Sequence, residues 1–75
     1  MSAYLDRTEA VVLEVLVDRS PLHVIEIASS VDYHPVTVDQ TCAHLHDEGY
    51  IYPLGRGLYE VTEDGKRRVA ARRES

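Results

Sequence analysis

The sequence contains no tryptophan and no phenylalanine, one cysteine, one lysine, and no apolar run longer than Ala10–Leu13. Without Trp or Phe, the bulk of a core must come from Val, Leu and Ile with the five Tyr, and 75 residues allow only one such core. A chain of this size buries only about 60% of its unfolded surface on folding, so burial against a partner would add stability. A membrane span needs roughly 20 consecutive apolar residues, which no segment approaches, and Met1–Asp6 does not read as a signal peptide. A soluble, cytoplasmic protein is the expectation. The lone Cys42 excludes an intrachain disulfide and fits a reducing compartment.

Charge is unevenly placed. The formal net charge is −5, yet residues 1–65 carry twelve acids against Arg7, Arg19 and Arg56, a net −9, while residues 66–75 carry Lys66, Arg67, Arg68, Arg72, Arg73 and Glu74, a net +4. An acidic body therefore bears a basic tail.

Neither repeats nor a Gly/Ser linker interrupt the chain, so residues 1–75 read as a single domain. Thr8 is a suitable N-cap, and Glu9, Val12, Leu13, Leu16 and Val17 recur at helical spacing, which predicts a first helix to about Asp18. Ser20 and Pro21 break it; Leu22–Val24 reads as a short extended piece before a second helix near residues 25–30, with Leu22, Val24, Ile27, Ala28 and Val31 buried. Pro35 suits the first position of a third helix, because its missing N–H costs nothing there. Val38, Cys42 and Leu45 mark the buried face of that helix and Gly49 its stop, leaving Val36, Thr37, Asp39, Gln40, Ala43 and His44 outward. The period then becomes strand-like: Tyr50–Tyr52 and Leu58–Val61 flank the turn Pro53–Gly57, a two-stranded hairpin with Arg56 at its tip. Thr62, Glu63 and Asp64 start a last helix, whose bases gather towards its negative end.

Two stretches carry a resemblance to the winged helix-turn-helix family, an α+β fold. Glu26-Ile27-Ala28-Ser29-Ser30-Val31-Asp32-Tyr33-His34-Pro35-Val36-Thr37-Val38 resembles that family's helix-turn-helix, E-[LI]-A-x-x-[LV]-x-x-S-P-x-T-V. Leu45 through Gly49-Tyr50-Ile51 to Tyr59-Glu60-Val61-Thr62-Glu63-Asp64-Gly65 resembles its L-x-x-x-G-[LY]-[IV] followed by Y-x-[LV]-T-x-x-G. In size, acidity and scarcity of lysine the chain is also similar to small proteins of halophilic archaea and their viruses, repressors of temperate halophages among them.

The resemblance implies a double-stranded DNA-binding transcription regulator, most simply a repressor, with the third helix in the major groove. On that basis Gln40 would pair with adenine, Thr37 would meet a phosphate or base, Val36 or Ala43 would touch a thymine methyl, and His34 would donate to a phosphate. Arg56, between two glycines, would enter a narrow minor groove. One departure stands out: the family usually places Arg or Lys near the positions of Gln40, Ala43 and His44, whereas this helix has neither, and Asp39 faces the expected phosphates. At molar salt the Debye length falls to about 3 Å, which removes most of that repulsion.

Other features have plainer readings beside the sharper ones. Cys42, His44 and His46 have a spacing that can hold a metal, but Cys42 occupies a position where the family buries Leu, so no metal site and no cofactor are expected. His23 reads as a surface residue. The run Lys66–Arg73 is a solvated helix face, or it touches phosphate, with Lys66, Arg67 and Arg68 as the DNA-backbone contacts, or it pairs with the acidic body of a second subunit. Tyr4, Thr8, Val11 and Val15 form a second stripe on the first helix, expected as a homodimer seam unless Val69, Ala70 and Ala71 cover it within the chain. No paired carboxylates, nucleophile with base, or phosphate loop suggest an enzyme or a small-molecule substrate. The competing reading is a winged-helix adaptor that binds another protein and not DNA.

Overall fold

The structure, a computed structural model, describes residues 5–74. Helix α1 spans Arg7–Arg19, and its cap is Asp6, not Thr8: Asp6 Oδ1 accepts the Glu9 amide at 2.8 Å while Glu9 Oε1 accepts the Asp6 amide at 3.1 Å. This reciprocal pair satisfies two backbone donors, whereas Thr8 at that position lacks an acidic partner three residues on. Val12, Leu13 and Leu16 project from α1 into the core with no exposed surface; Val17 stays half-buried.

Strand β1 (Leu22–His23) leads directly into α2 (Val24–Val31), which ends at Asp32 in the left-handed conformation, φ +61°. Val24, Ile27 and Ala28 are its buried residues, and Val31 is half-buried. Helix α3 covers Pro35–Asp47, with Pro35 in its first turn. It closes in a Schellman motif: the Gly49 amide donates to the His46 carbonyl and the Tyr50 amide to the Leu45 carbonyl, both at 3.0 Å, with Gly49 at φ +85°. Val38, Cys42 and Leu45 are fully buried, joined by Thr41, whose hydroxyl is satisfied by donation to the Thr37 carbonyl at 2.8 Å.

The hairpin differs from expectation in two respects. Strand β2 runs Ile51–Gly55 and β3 Leu58–Val61, so the connection is the pair Arg56-Gly57 and not a five-residue loop. Both central residues have positive φ, +53° and +81°, which type I′ turns require because their twist matches that of the strands. An irregularity between Pro53 and Gly55 absorbs the additional residue, and Pro53 is tolerated because β2 is an edge strand. The sheet also has three strands, not two, in the order β1-β3-β2, with Leu22 opposite Tyr59 and His23 opposite Leu58.

Helix α4 (Glu63–Glu74) starts from Thr62, whose Oγ1 accepts the Gly65 amide at 3.1 Å and donates to the Gly49 carbonyl at 2.7 Å. One hydroxyl thus joins the end of α3 to the start of α4. Val69 anchors α4 in the core, while Ala70 and Ala71 are exposed. Three helices, a small antiparallel sheet with a tight hairpin and a return helix constitute a winged helix-turn-helix.

Candidate nucleic-acid interface

α3 turns its outward side to solvent because its inward residues recur every three to four positions and are consumed by the core. Val36, Thr37, Asp39, Gln40, Ala43 and His44 are all exposed, and Val36 is 58% exposed, unusually so for a large apolar side chain in a small domain. The face is free of Arg and Lys, so its own chemistry is amide, hydroxyl and methyl.

His34 caps this helix. Its Nδ1 accepts the Val36 amide at 3.1 Å, which in the neutral ring assigns the proton to Nε2 and leaves that donor facing solvent. His44 has a second engagement: its Nδ1 lies 3.8 Å from Glu9 Oε2 on α1, an ion pair whenever the imidazole is protonated. It therefore stands at the rim of the face, towards α1.

Arg56 projects from the exposed turn at the end of the hairpin. That turn does not protrude far beyond the domain, because β1 pairs with β3 up to Leu58 and the Val24 amide donates to the Gly57 carbonyl at 2.9 Å. The tip is held beside the first turn of α2.

The basic tail folds back on the chain's own acids. Lys66 pairs with Glu63 at 3.4 Å and Arg67 with Asp64, while Arg72 reaches Glu14 at 3.7 Å and Arg73 reaches Asp18 at 3.1 Å on α1. Lys66, Arg67, Arg72 and Arg73 thus have acidic partners within the chain. These are exposed contacts worth little, and they exchange readily for other anions. Arg68 is half-buried.

Of the α1 stripe, Tyr4 lies outside the described residues; Thr8, Val11 and Val15 are half-buried. Val11 lies in a groove between α1 and α4 that is bordered by Arg7, Glu14 and Arg72.

Cys42 and its neighbouring histidines do not converge: the cysteine is inside the core, while His44 and His46 are exposed. Among the described residues no group of three His, Cys, Asp or Glu is placed to hold a metal ion. Burial, and secondarily the Asp39 carboxylate, pushes the Cys42 thiol from 9.0 up to about 12. The unfolded chain releases this proton above its ordinary value while the folded chain keeps it, so stability falls as pH rises from 9.0 towards 12. The expected slope approaches about 1.4 kcal/mol per pH unit. Tyr59, pushed up by burial and then by Cys42 and Asp39, acts in the same direction. Urea titrations across this range should show the slope reduced in Cys42→Ala and kept in part by Tyr59→Phe; identical slopes in all three chains would contradict it.

Two residues of this region escaped the sequence reading. Tyr59 sits half-buried on the central strand near Asp39, and His23 is a structural cap, not a free surface side chain. The spacing of His23 and Glu26 was the available signal, since Glu three residues after a cap is the mark of a capping box.

The architecture defines a class of fold, and solved structures share it. The chain is similar to a MarR/EmrR family transcriptional regulator from Acinetobacter sp. ADP1, with a TM-score of 0.85 at 21% identity, covering 93% of this chain and 51% of that one. It is similar to MepR, a transcription regulator of the Staphylococcus aureus multidrug efflux pump MepA, at TM-score 0.86 and 18% identity, covering 93% and 56%. A Mycobacterium tuberculosis MarR family protein solved in complex with DNA gives 0.87 at 20% identity, covering 93% and 54%. The chain thus spans about half the length of these neighbours. No family model matches the sequence, and no curated protein matches it. Among the described residues, no helix is long and apolar enough to cross a membrane.

Proposed function

We propose that this chain is a sequence-specific regulator of transcription, a repressor, that binds double-stranded DNA as a homodimer in a salt-rich cytoplasm. The observation that carries the reading is an exposed α3 face in one small domain with an exposed turn that presents Arg56, in a fold whose solved neighbours include a protein in complex with DNA. In this reading α3 lies in the major groove. Gln40 reads adenine, Val36 or Ala43 meets a thymine methyl, Thr37 and the Nε2–H of His34 meet phosphates, and Asp39 and His44 tune the approach electrostatically. Arg56 enters the adjacent minor groove, and Lys66, Arg67 and Arg68 add backbone contacts when their local pairs exchange for phosphates.

The dimer seam is the α1 stripe of Thr8, Val11 and Val15. Two-fold symmetry doubles the contact made by a reading face that carries little positive charge, and it matches a palindromic site.

The test is selection of fragments from random duplex DNA at low and multimolar KCl, followed by Arg56→Ala and Gln40→Ala on the selected site. Each substitution removes a base contact worth about 1–3 kcal/mol, so affinity should fall roughly tenfold to a hundredfold. The absence of Arg and Lys on α3 favours one competing reading, an adaptor that binds a protein partner through this face. An adaptor selects no duplex, and the two substitutions then change no affinity for DNA.

A further inference from the structure

We infer that His23 is a positioning residue for the wing: it clamps the Arg56 turn to the start of α2, and so holds the arginine at one fixed place relative to the α3 face. The inference rests on the DNA-binding reading for its consequence, though not for its geometry.

His23 ends β1 and caps α2, and both of its polar ends are committed. Its amide donates to Glu26 Oε1 at 2.8 Å, and its Nδ1 accepts the Ile25 amide at 3.1 Å. A ring tied at one nitrogen and carried on a backbone tied to the same helix has little freedom to rotate. The far edge of that ring covers Gly57. A Cβ placed on Gly57 would meet His23 Nε2 at 3.0 Å, Cε1 at 3.4 Å and Cδ2 at 3.5 Å, so the imidazole stands in the space a side chain at residue 57 would fill. On the main-chain side the Val24 amide holds the Gly57 carbonyl at 2.9 Å, and His23 is in register with Leu58.

The turn is therefore fixed by a backbone hydrogen bond and a ring. Arg56, the residue before Gly57, sits at φ +53°, a conformation a non-glycine residue keeps only where its surroundings impose it. Loosening of the ring contact would let the turn relax and spread the guanidinium over many positions. Because α2 leads into α3 through the short turn at Asp32–His34, the same clamp sets the spacing between wing and reading face.

His23→Asn and His23→Phe separate the ring from the cap. Asn keeps a capping oxygen but leaves Gly57 uncovered; Phe keeps the ring and loses the acceptor. Amide relaxation by NMR on the free protein is expected to show Arg56 and Gly57 rigid in the parent and in His23→Phe, with order parameters near about 0.85, and loosened towards about 0.6 in His23→Asn. On selected duplex DNA, Arg56→Ala should cost about tenfold or more in the parent and less than about threefold in the His23→Asn background, because an unpositioned arginine has little left to lose. Equal losses in both backgrounds, or unchanged relaxation in His23→Asn, overturn the inference. A parent chain that binds no duplex at any salt removes the DNA reading and the purpose of the clamp, and the relaxation data still decide separately whether the ring holds the turn.

Discussion

Gly65→Ala is expected to destabilise the protein by about 3 kcal/mol or more. Helix propensity alone gives the opposite sign, since Ala in a helix is favoured over Gly by about 1 kcal/mol. Packing decides: a Cβ at residue 65 would collide with the Tyr50 carbonyl oxygen and lie 2.6 Å from Val61 Cγ2. The carbonyl cannot step aside, because it accepts the Thr62 amide at 2.9 Å and its own residue is bound to Leu45 through the Schellman motif. The only relief is for α4 to lift from the sheet, which withdraws Val69 from the core. A domain of this size holds on the order of 4–11 kcal/mol in total, so the loss is a large share. Urea unfolding in concentrated KCl should show a clearly lower midpoint. A midpoint equal to or above that of the parent would mean that α4 does not dock as described.

The second large effect concerns salt. Affinity for duplex DNA falls with log salt at a slope of about −0.9 for each phosphate neutralised. α3 carries no Arg or Lys, and an α4 base that exchanges Glu63, Asp64, Glu14 or Asp18 for a phosphate leaves an acid that takes up a cation, so Arg56 is the protomer's principal source of net counterion release. A homodimer then gives a slope of about −2, and a tenfold rise in KCl costs only about a hundredfold. A protein making about eight phosphate contacts would lose about ten million-fold over the same range. Fluorescence anisotropy from dilute to multimolar KCl measures the slope, and light scattering in the same buffers should return twice the 8.5 kDa chain mass. A slope near −8 would mean that cations other than Arg56 dominate the contact with the duplex. A single-chain mass would end the dimer reading of Thr8, Val11 and Val15.

The division of α3 into a buried and an exposed face is legible in the sequence, and for a local reason. Pro35 starts α3 and Gly49 ends it by backbone sterics that need no distant partner, and once both ends are set the 3.6-residue period places Val38, Cys42 and Leu45 inward and Gln40 and Ala43 outward. The α1 start was misplaced for an equally local reason: Asp6 and Glu9 complete a reciprocal cap that Thr8 cannot. The hairpin was placed correctly but its turn was not, because Arg56 is a poor advertisement for positive φ; the shift at Pro53–Gly55 shows only when both strands are in register.

The role of His44 shows the same boundary. Its spacing on α3 assigns it to the outward face, and its exposure agrees, yet the Glu9 carboxylate beside it belongs to a helix 35 positions earlier in the chain. No periodicity within one helix reports such a neighbour.

Residue order was enough for helix boundaries set by Pro and Gly, for the alternation of buried and exposed positions, for the charge split between body and tail, and for the winged helix-turn-helix architecture. Those signals act over a few residues, where steric limits and hydrogen-bond reach are short. The pairing of β1 with β3, the imidazole of His23 against Gly57, the fit of Gly65 on Tyr50 and the return of the α4 bases to α1 arose only on folding. Each joins segments distant along the chain, and their approach depends on the packing of the whole core, which no local pattern encodes.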